Sequence, residues 1–199
     1  MRKVHYDITR VSSAVCAEIL NKYHYLKDIS KGFKSGYNYG LMIDELCVGV
    51  CIFTGFPVPE LSTGMLGLSR DDQDGLFELS RLCLLPNIQG EDNHNMASWF
   101  VARAIRQLRK DITVRVILSY ADADFHSGTV YRACNFKYYG LSASKKDFWI
   151  GDDSSGYVKH VRGPMKGLSG EWRPRSRKHR FVMVFDKTLN VKWEEKDYE

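Results

Sequence analysis

The chain has 199 residues, of which 44% are hydrophobic, 27% charged and 13% aromatic, and its net charge is +5. That length gives one α/β domain a real core and is too short for two large domains, while the composition excludes a disordered, collagen-like or membrane-spanning protein. No run approaches the roughly 18 apolar residues of a spanning helix. The opening MRKVHYDITR lacks the apolar stretch of a signal peptide, so a cytoplasmic location without membrane contact is expected.

The elements follow from periodicity. Val11–Tyr23 reads as a helix capped by Ser12 or Ser13, with Val15, Ile19 and Leu20 at helical spacing. Tyr37–Ile43 and Leu46–Phe53, separated by Asp44-Glu45, read as a hairpin. Thr54–Asp74 is rich in Gly, Pro, Ser and Asp and reads as a long loop. Phe77–Leu85 is a strand ended by Pro86, and Asn87–Asn95 a polar loop. Ala97–Lys110 is an amphipathic helix with a stripe of Ala97, Val101, Ala104, Ile105 and Leu108. Val114–Tyr120 is a buried strand, and Ser127 caps a short helix to about Asn135. Phe136–Tyr139 starts a last sheet region, residues 143–180 read as a basic loop, and Phe181–Phe185 is the final strand. Trp193 and Tyr198 are candidates for a dimer contact, although the sequence leaves monomer and homodimer open.

Strands 77–85 and 114–120, joined by a helix, make a right-handed parallel βαβ unit. Ligands of such sheets sit beyond the carboxyl ends of the strands. In FELSRL, the polar Glu78, Ser80 and Arg81 interrupt an apolar strand, which is costly unless they are paired or used. Strict alternation sets Arg81 with Phe77, Leu79 and Cys83, and Glu78 with Ser80, Leu82 and Leu84; a bulge would change that parity. Glu78 is a candidate general base and Arg81 a candidate anion-orienting group.

Asp122 lies just past an apolar strand, where a carboxylate meets substrate; Asp124 is the better candidate to cap the following turn. Tyr131, one turn into the next helix, is a candidate proton donor or simply a packed ring. Asn93, Asn95 and Ser98 can cap a helix or offer donors to a phosphate. His24, between Tyr23 and Tyr25, suits a stacked base.

Charge is concentrated late in the chain. From Lys159 to Arg180 there are eight basic residues and one acid, Glu171, while the first 158 residues balance to neutrality. Trp172 and His179 interleave with Arg173, Arg175, Arg177, Lys178 and Arg180. Such a segment suits a phosphate backbone or forms a solvated charged loop. The five cysteines, Cys16, Cys47, Cys51, Cys83 and Cys134, are odd in number and form no CxxC pair, which fits buried free thiols and argues against zinc.

The strand order resembles the GNAT acyltransferase fold, which implies a single domain over 1–199: a mixed central α/β sheet flanked by helices, with the basic segment 159–180. GNAT enzymes carry a Q/R-x-x-G-x-G/A phosphate loop where this chain has Asn87–Ser98 with only Gly90. More specifically, the motifs resemble the Mom family of DNA-modification proteins of Mu-like bacteriophages. They are YHYLK (23–27), ELSRL (78–82), the helix start from Asn93 through His94 and Asn95 to Ser98, SYAD (119–122), H-S-G-x-x-Y-x-A-x-x-F (126–136) and KHR (178–180).

This resemblance implies an enzyme that converts adenine in double-stranded DNA to N6-carbamoylmethyladenine and so protects phage DNA from restriction. Arg81, Ser98, Asp122 and Tyr131 would be its functional polar set. Glu78 would join them as a catalytic group, with His24, Tyr25, Ser80, Ser119 and His126 binding substrate and the late cations binding nucleic acid. The donor implied is an acyl-CoA or an activated glycine such as an aminoacyl-tRNA, in which case tRNA is a second partner. Iron chemistry is another route, for which no compact ligand motif is visible. Two other readings compete: a GNAT acyltransferase acting on a small amine, protein or tRNA, and a non-enzymatic nucleic-acid-binding protein.

Overall fold

A computed structural model describes residues 5–25, 33–89, 94–160 and 163–198. Strand β1 (Tyr6–Arg10) lies antiparallel on β2 (Tyr37–Ile43), which turns through Asp44-Glu45 into β3 (Leu46–Gly55). The turn needs a left-handed residue, and Asp44 supplies it at φ 53°, a conformation short polar side chains tolerate. The apolar pattern does not announce β1, because YDITR is a half-polar strand at the exposed edge of the sheet.

Between β1 and β2, helix α1 (Ser13–Tyr23) starts at Ser12, whose hydroxyl accepts from the Val15 N–H at 3.3 Å. It buries Cys16, Ile19 and Leu20 against Val50, Ile52 and Cys83. After β3 the chain makes a π-helical turn at Ser62–Leu66, inside the expected loop. Its Met65 and Leu66 join a second cluster with Leu76, Val116 and Leu118.

Strand β4 (Leu76–Leu84), helix α2 (Met96–Asp111) and strand β5 (Val116–Asp122) form the expected parallel crossover. The predicted stripe of α2, together with Phe100, is buried against Phe53, Phe77 and Leu79. Helix α3 (Thr129–Ala133) follows, then β6 (Lys137–Leu141). Its N-cap is Gly128 at φ 75°, not Ser127, whose hydroxyl instead bonds the Thr129 hydroxyl at 2.8 Å. A Cβ on Gly128 would come within 2.2 Å of the Phe181 ring.

Residues 143–180 are not a continuous loop. Strands β7 (Lys145–Asp152), β8 (Gly156–Lys159) and β9 (Gly170–Arg175) form a separate antiparallel sheet, ordered β8-β7-β9. Its charged sequence carries no clean alternation, and Pro174 is accommodated because β9 is an edge. Strand β10 (Lys178–Val184) starts before the expected Phe181 and inserts antiparallel between β5 and β6. The main sheet thus has seven strands, ordered β1-β2-β3-β4-β5-β10-β6. The candidate dimer aromatics are used within the chain: Trp193 packs on Tyr139, and Tyr198 on Tyr138 and Phe181. All five cysteines are free, four of them buried.

Candidate active site

β4 and β5 are paired only along Leu76–Leu79 and Val116–Ser119. Beyond that point they diverge. Ile52 pairs with Arg81 and Phe53 with Leu79, so Ser80 is an extra, bulged residue. Its hydroxyl donates to the Ile52 carbonyl at 3.2 Å. The bulge reverses the side-chain parity. Phe77, Leu79, Leu82 and Leu84 all belong to the core under α2, while Cys83 belongs to the α1 side. Glu78 and Arg81 therefore share one face, which corrects the separation that strict alternation predicts.

Where the strands part there is a cleft of about 760 Å³. Glu78, Ser80 and Arg81 line it from β4, Asp122 from the end of β5, and His126 and Tyr131 from the segment beyond. His24 and Tyr25 reach it from the end of α1, and Lys178 from the start of β10. Eight residues expected at the site thus converge from distant parts of the chain, with Lys178 as a ninth in an unexpected role.

Asp122 is only 6% exposed. One carboxylate oxygen accepts from the Ser176 hydroxyl and from the Asp124 N–H (3.2 Å), and the other from the Lys178 ammonium. Burial opposes its ionisation, but Lys178, Ser176 and the Asp124 N–H outweigh that cost and hold the carboxyl below its usual range. Asp122 is thus a fixed anion with its acceptor sites largely occupied. It also caps the turn, the role that sequence assigns to Asp124. Lys178, expected to meet nucleic acid, is instead an ion-pair partner inside the cleft.

Glu78 is the contrasting carboxylate. Burial raises its pKa, and Arg81 and Lys34 only partly counter this. Arg81 donates to the Ser80 carbonyl at 2.6 Å, yet its Nε is buried without a hydrogen-bond partner. An orphaned guanidinium donor lining a cleft is suited to an oxyanion or carbonyl oxygen of a bound molecule.

Tyr131 packs on Phe136 and Phe181, with ring centroids 5.7 and 5.3 Å away. Burial pushes its phenol up to about 12, with Ser119 acting in the opposite sense by hydrogen bonding. It keeps its proton at neutral pH. Ser119 does not line the cleft; it is fully buried, donates to the Leu79 carbonyl at 3.1 Å and supports Tyr131. Ser98 also lies outside the cleft lining, its hydroxyl donating to the Asn95 carbonyl at 3.0 Å in the first turn of α2. The residues Leu26, Lys27 and Gly90–Asn93, parts of two expected motifs, lie outside the described residues.

At the mouth, the Tyr25 ring packs on His24 (4.5 Å), His126 (4.7 Å) and Phe125 (5.1 Å). Ser176 and the cleft role of Lys178 escape a sequence reading because both depend on β10 pairing beside β5, and Phe125 escapes it because it meets Tyr25 only where the end of α1 lies against the loop after β5. The remaining late cations diverge. Arg173 stacks on Tyr157 and Trp149, Arg175 pairs with Asp147 at 3.3 Å, and Arg177 donates to the Ser142 carbonyl at 2.7 Å. Arg180 turns onto the main sheet, bonding the Tyr139 carbonyl and stacking on Trp193. Among the described residues, no group of three or more His, Cys, Asp or Glu is arranged to hold a metal ion, and no helix is long and apolar enough to cross a membrane.

Solved acetyltransferases, among them a GNAT family member, share this fold of a mixed sheet flanked by helices. An acetyltransferase from Bacillus subtilis solved in complex with CoA matches with a TM-score of 0.52 at 12% identity, covering 92% of this chain and 99% of that one. The IAA acetyltransferase from Bacillus cereus matches with a TM-score of 0.54 at 11% identity (91% and 100% covered). A GNAT family acetyltransferase from Elizabethkingia anophelis with acetyl-CoA bound matches with a TM-score of 0.52 at 10% identity (92% and 100%). At these identities the likeness establishes the fold. No curated protein matches the chain significantly. The model of the Mom protein family matches residues 5–199. The chain belongs to the Mom protein family.

Proposed function

We propose that the protein modifies adenine in double-stranded DNA, converting the exocyclic amine to its N6-carbamoylmethyl form and thereby shielding phage DNA from restriction in the host cytoplasm. The observation that carries this reading is the convergence of Glu78, Arg81, Asp122 and Tyr131 in one cleft under a rim of aromatic rings. Family membership supports the substrate.

Adenine N6 is a poor nucleophile, because its lone pair is delocalised into the ring. Its attack on an acyl donor needs a proton acceptor, an oxyanion donor and a proton for the leaving group. Glu78 takes the N6 proton. Asp122, fixed by Lys178 and Ser176, orients the amine. The free Nε of Arg81 meets the oxyanion, and Tyr131 protonates the leaving group.

The product joins N6 to CH2, which acetyl transfer cannot give. With an activated glycine, N6 displaces the carrier to form N6-glycyladenine. The glycyl amine then attacks C6, the original C6–N6 bond breaks, and the group left is NH–CH2–CONH2. The two adenine derivatives are isomers, so no oxidant or further reactant is required. The donor is an acyl-CoA or an aminoacyl-tRNA carrying glycine, and the cations Arg173, Arg175 and Arg177, the last two exposed, contact the nucleic acid.

The test is to express the protein in bacteria, digest plasmid DNA to nucleosides and weigh them. Deoxyadenosine heavier by one glycyl residue is expected, absent with Glu78→Gln. A heavy-nitrogen label placed at N6 ends in the terminal amide if the rearrangement occurs. Unmodified nucleosides from well-folded protein would overturn the proposal. The GNAT fold itself favours a second reading, acylation of a small amine from acyl-CoA. Calorimetry showing tight acetyl-CoA binding with no DNA product would select it.

A further inference from the structure

We infer that Phe125 is a wedge that enters the base stack of a duplex and holds it apart while the neighbouring adenine turns into the cleft. The inference rests on the DNA reading above and assigns a residue that reading does not use. Phe125 is 62% exposed, although the chain buries most of its large apolar side chains. Leaving such a ring in water forgoes the hydrophobic stabilisation its burial would give.

The loop that presents it is firmly tied. The Phe125 and His126 N–H groups donate to the Asp122 carbonyl at 3.0 and 2.7 Å, and the Ala123 N–H donates to the Arg177 carbonyl at 3.0 Å. The Asp124 N–H bonds the Asp122 carboxylate. The ring is therefore held outward at the rim. It touches Tyr25, which itself packs on His24 and His126 inside the mouth. The rim thus offers one ring outside and a group of rings just within.

The depth of the site demands such a device. Asp122 is almost fully buried and the Tyr131 phenol lies among Phe136 and Phe181. A base stacked in a duplex cannot bring its N6 amine to them, so it has to leave the stack. Apolar side chains inserted between base steps stabilise the opened duplex, and ring stacking on Tyr25 holds the extruded purine. Arg177, anchored against the same loop, supplies a phosphate contact that sets the register.

The experiment uses the full chain and duplexes that place 2-aminopurine, which fluoresces when unstacked, between each pair of flanking bases. Anisotropy measures binding and 2-aminopurine emission measures extrusion. With the unaltered protein, emission rises several-fold in at least one context. Phe125→Ala binds with similar affinity but loses the rise, and Phe125→Trp restores it. Because Phe125 is exposed, thermal melts of both variants stay near the unaltered value. If Phe125→Ala gives the full rise, or if the unaltered protein binds and modifies duplexes without any rise, the wedge is refuted and the DNA reading stands. Absence of duplex binding and of modified nucleoside refutes both.

Discussion

Asp122 in the cleft and Asp147 on the small sheet are each held by two side chains, yet the pairs serve different ends. Asp122 is nearly buried and receives Lys178, Ser176 and a backbone N–H, overcoming a burial cost. Asp147 accepts from Lys159 at 2.6 Å and Arg175 at 3.3 Å with a more open side chain, and the Lys159 hydrogen bond is the chief reason its carboxyl lies below the usual range. In the cleft, pairing fixes the direction of one anion. On the small sheet it tempers cations that face solvent. The difference lies in desolvation: a buried charge must be fully partnered, whereas a more open pair contributes little to stability.

The sharpest way to test this contrast is at the other cleft carboxylate. Glu78→Gln is expected to lower nucleoside modification by about 10²–10⁴-fold, with DNA binding unchanged. In the unaltered protein the rate climbs as Glu78 ionises. The acidic limb of the pH–rate profile therefore lies above the ordinary glutamate range, since burial raises this pKa. A limb that persists in Glu78→Gln would assign the base elsewhere.

Gly128→Ala strikes the scaffold of the cleft. It combines a left-handed backbone with a Cβ pressed into Phe181, and a loss of about 2–4 kcal/mol in denaturant unfolding is expected. Asp122→Asn, which leaves Lys178 without its anion, costs about 1–3 kcal/mol at neutral pH. Because the folded pKa of Asp122 is depressed, its stabilisation is present above the unfolded value. It fades as pH falls through the folded value, so the two melting curves converge in acid.

On the small sheet the effects are smaller and appear in binding. The double variant Arg173→Ala, Arg175→Ala should weaken duplex binding and flatten the slope of log affinity against log salt by about 2. Asp147→Asn releases Lys159 and Arg175, so affinity rises modestly and the slope steepens, with unfolding shifted by less than about 1 kcal/mol. A larger stability loss at Asp147 than at Asp122 would reverse the comparison.

Local pattern was sufficient for much of the architecture. The 3.6-residue stripe of α2, the β2–β3 runs and the apolar β5 are written in short windows, because each buries one continuous face. The same windows pointed to Glu78 and Arg81 as polar groups inside an apolar strand, Asp122 at a strand end and Tyr131 in the next helix, and family motifs tied them together. What escaped is non-local. The bulge at Ser80 depends on how β3 pairs with β4, and only that pairing puts Glu78 and Arg81 on one face. Ser98 and Ser119 have suitable chemistry, but helix-start and buried-strand geometry commits their hydroxyls to carbonyls. The small sheet was hidden by its charges, since solvent-exposed strands need no apolar alternation. Above all, Lys178 and Ser176 meet Asp122 because β10 returns to pair with β5 some 54 to 56 residues later in the chain. Composition and periodicity determine which segments seek burial; the choice of neighbour for each strand, a long-range competition among pairings, decides which charges face each other.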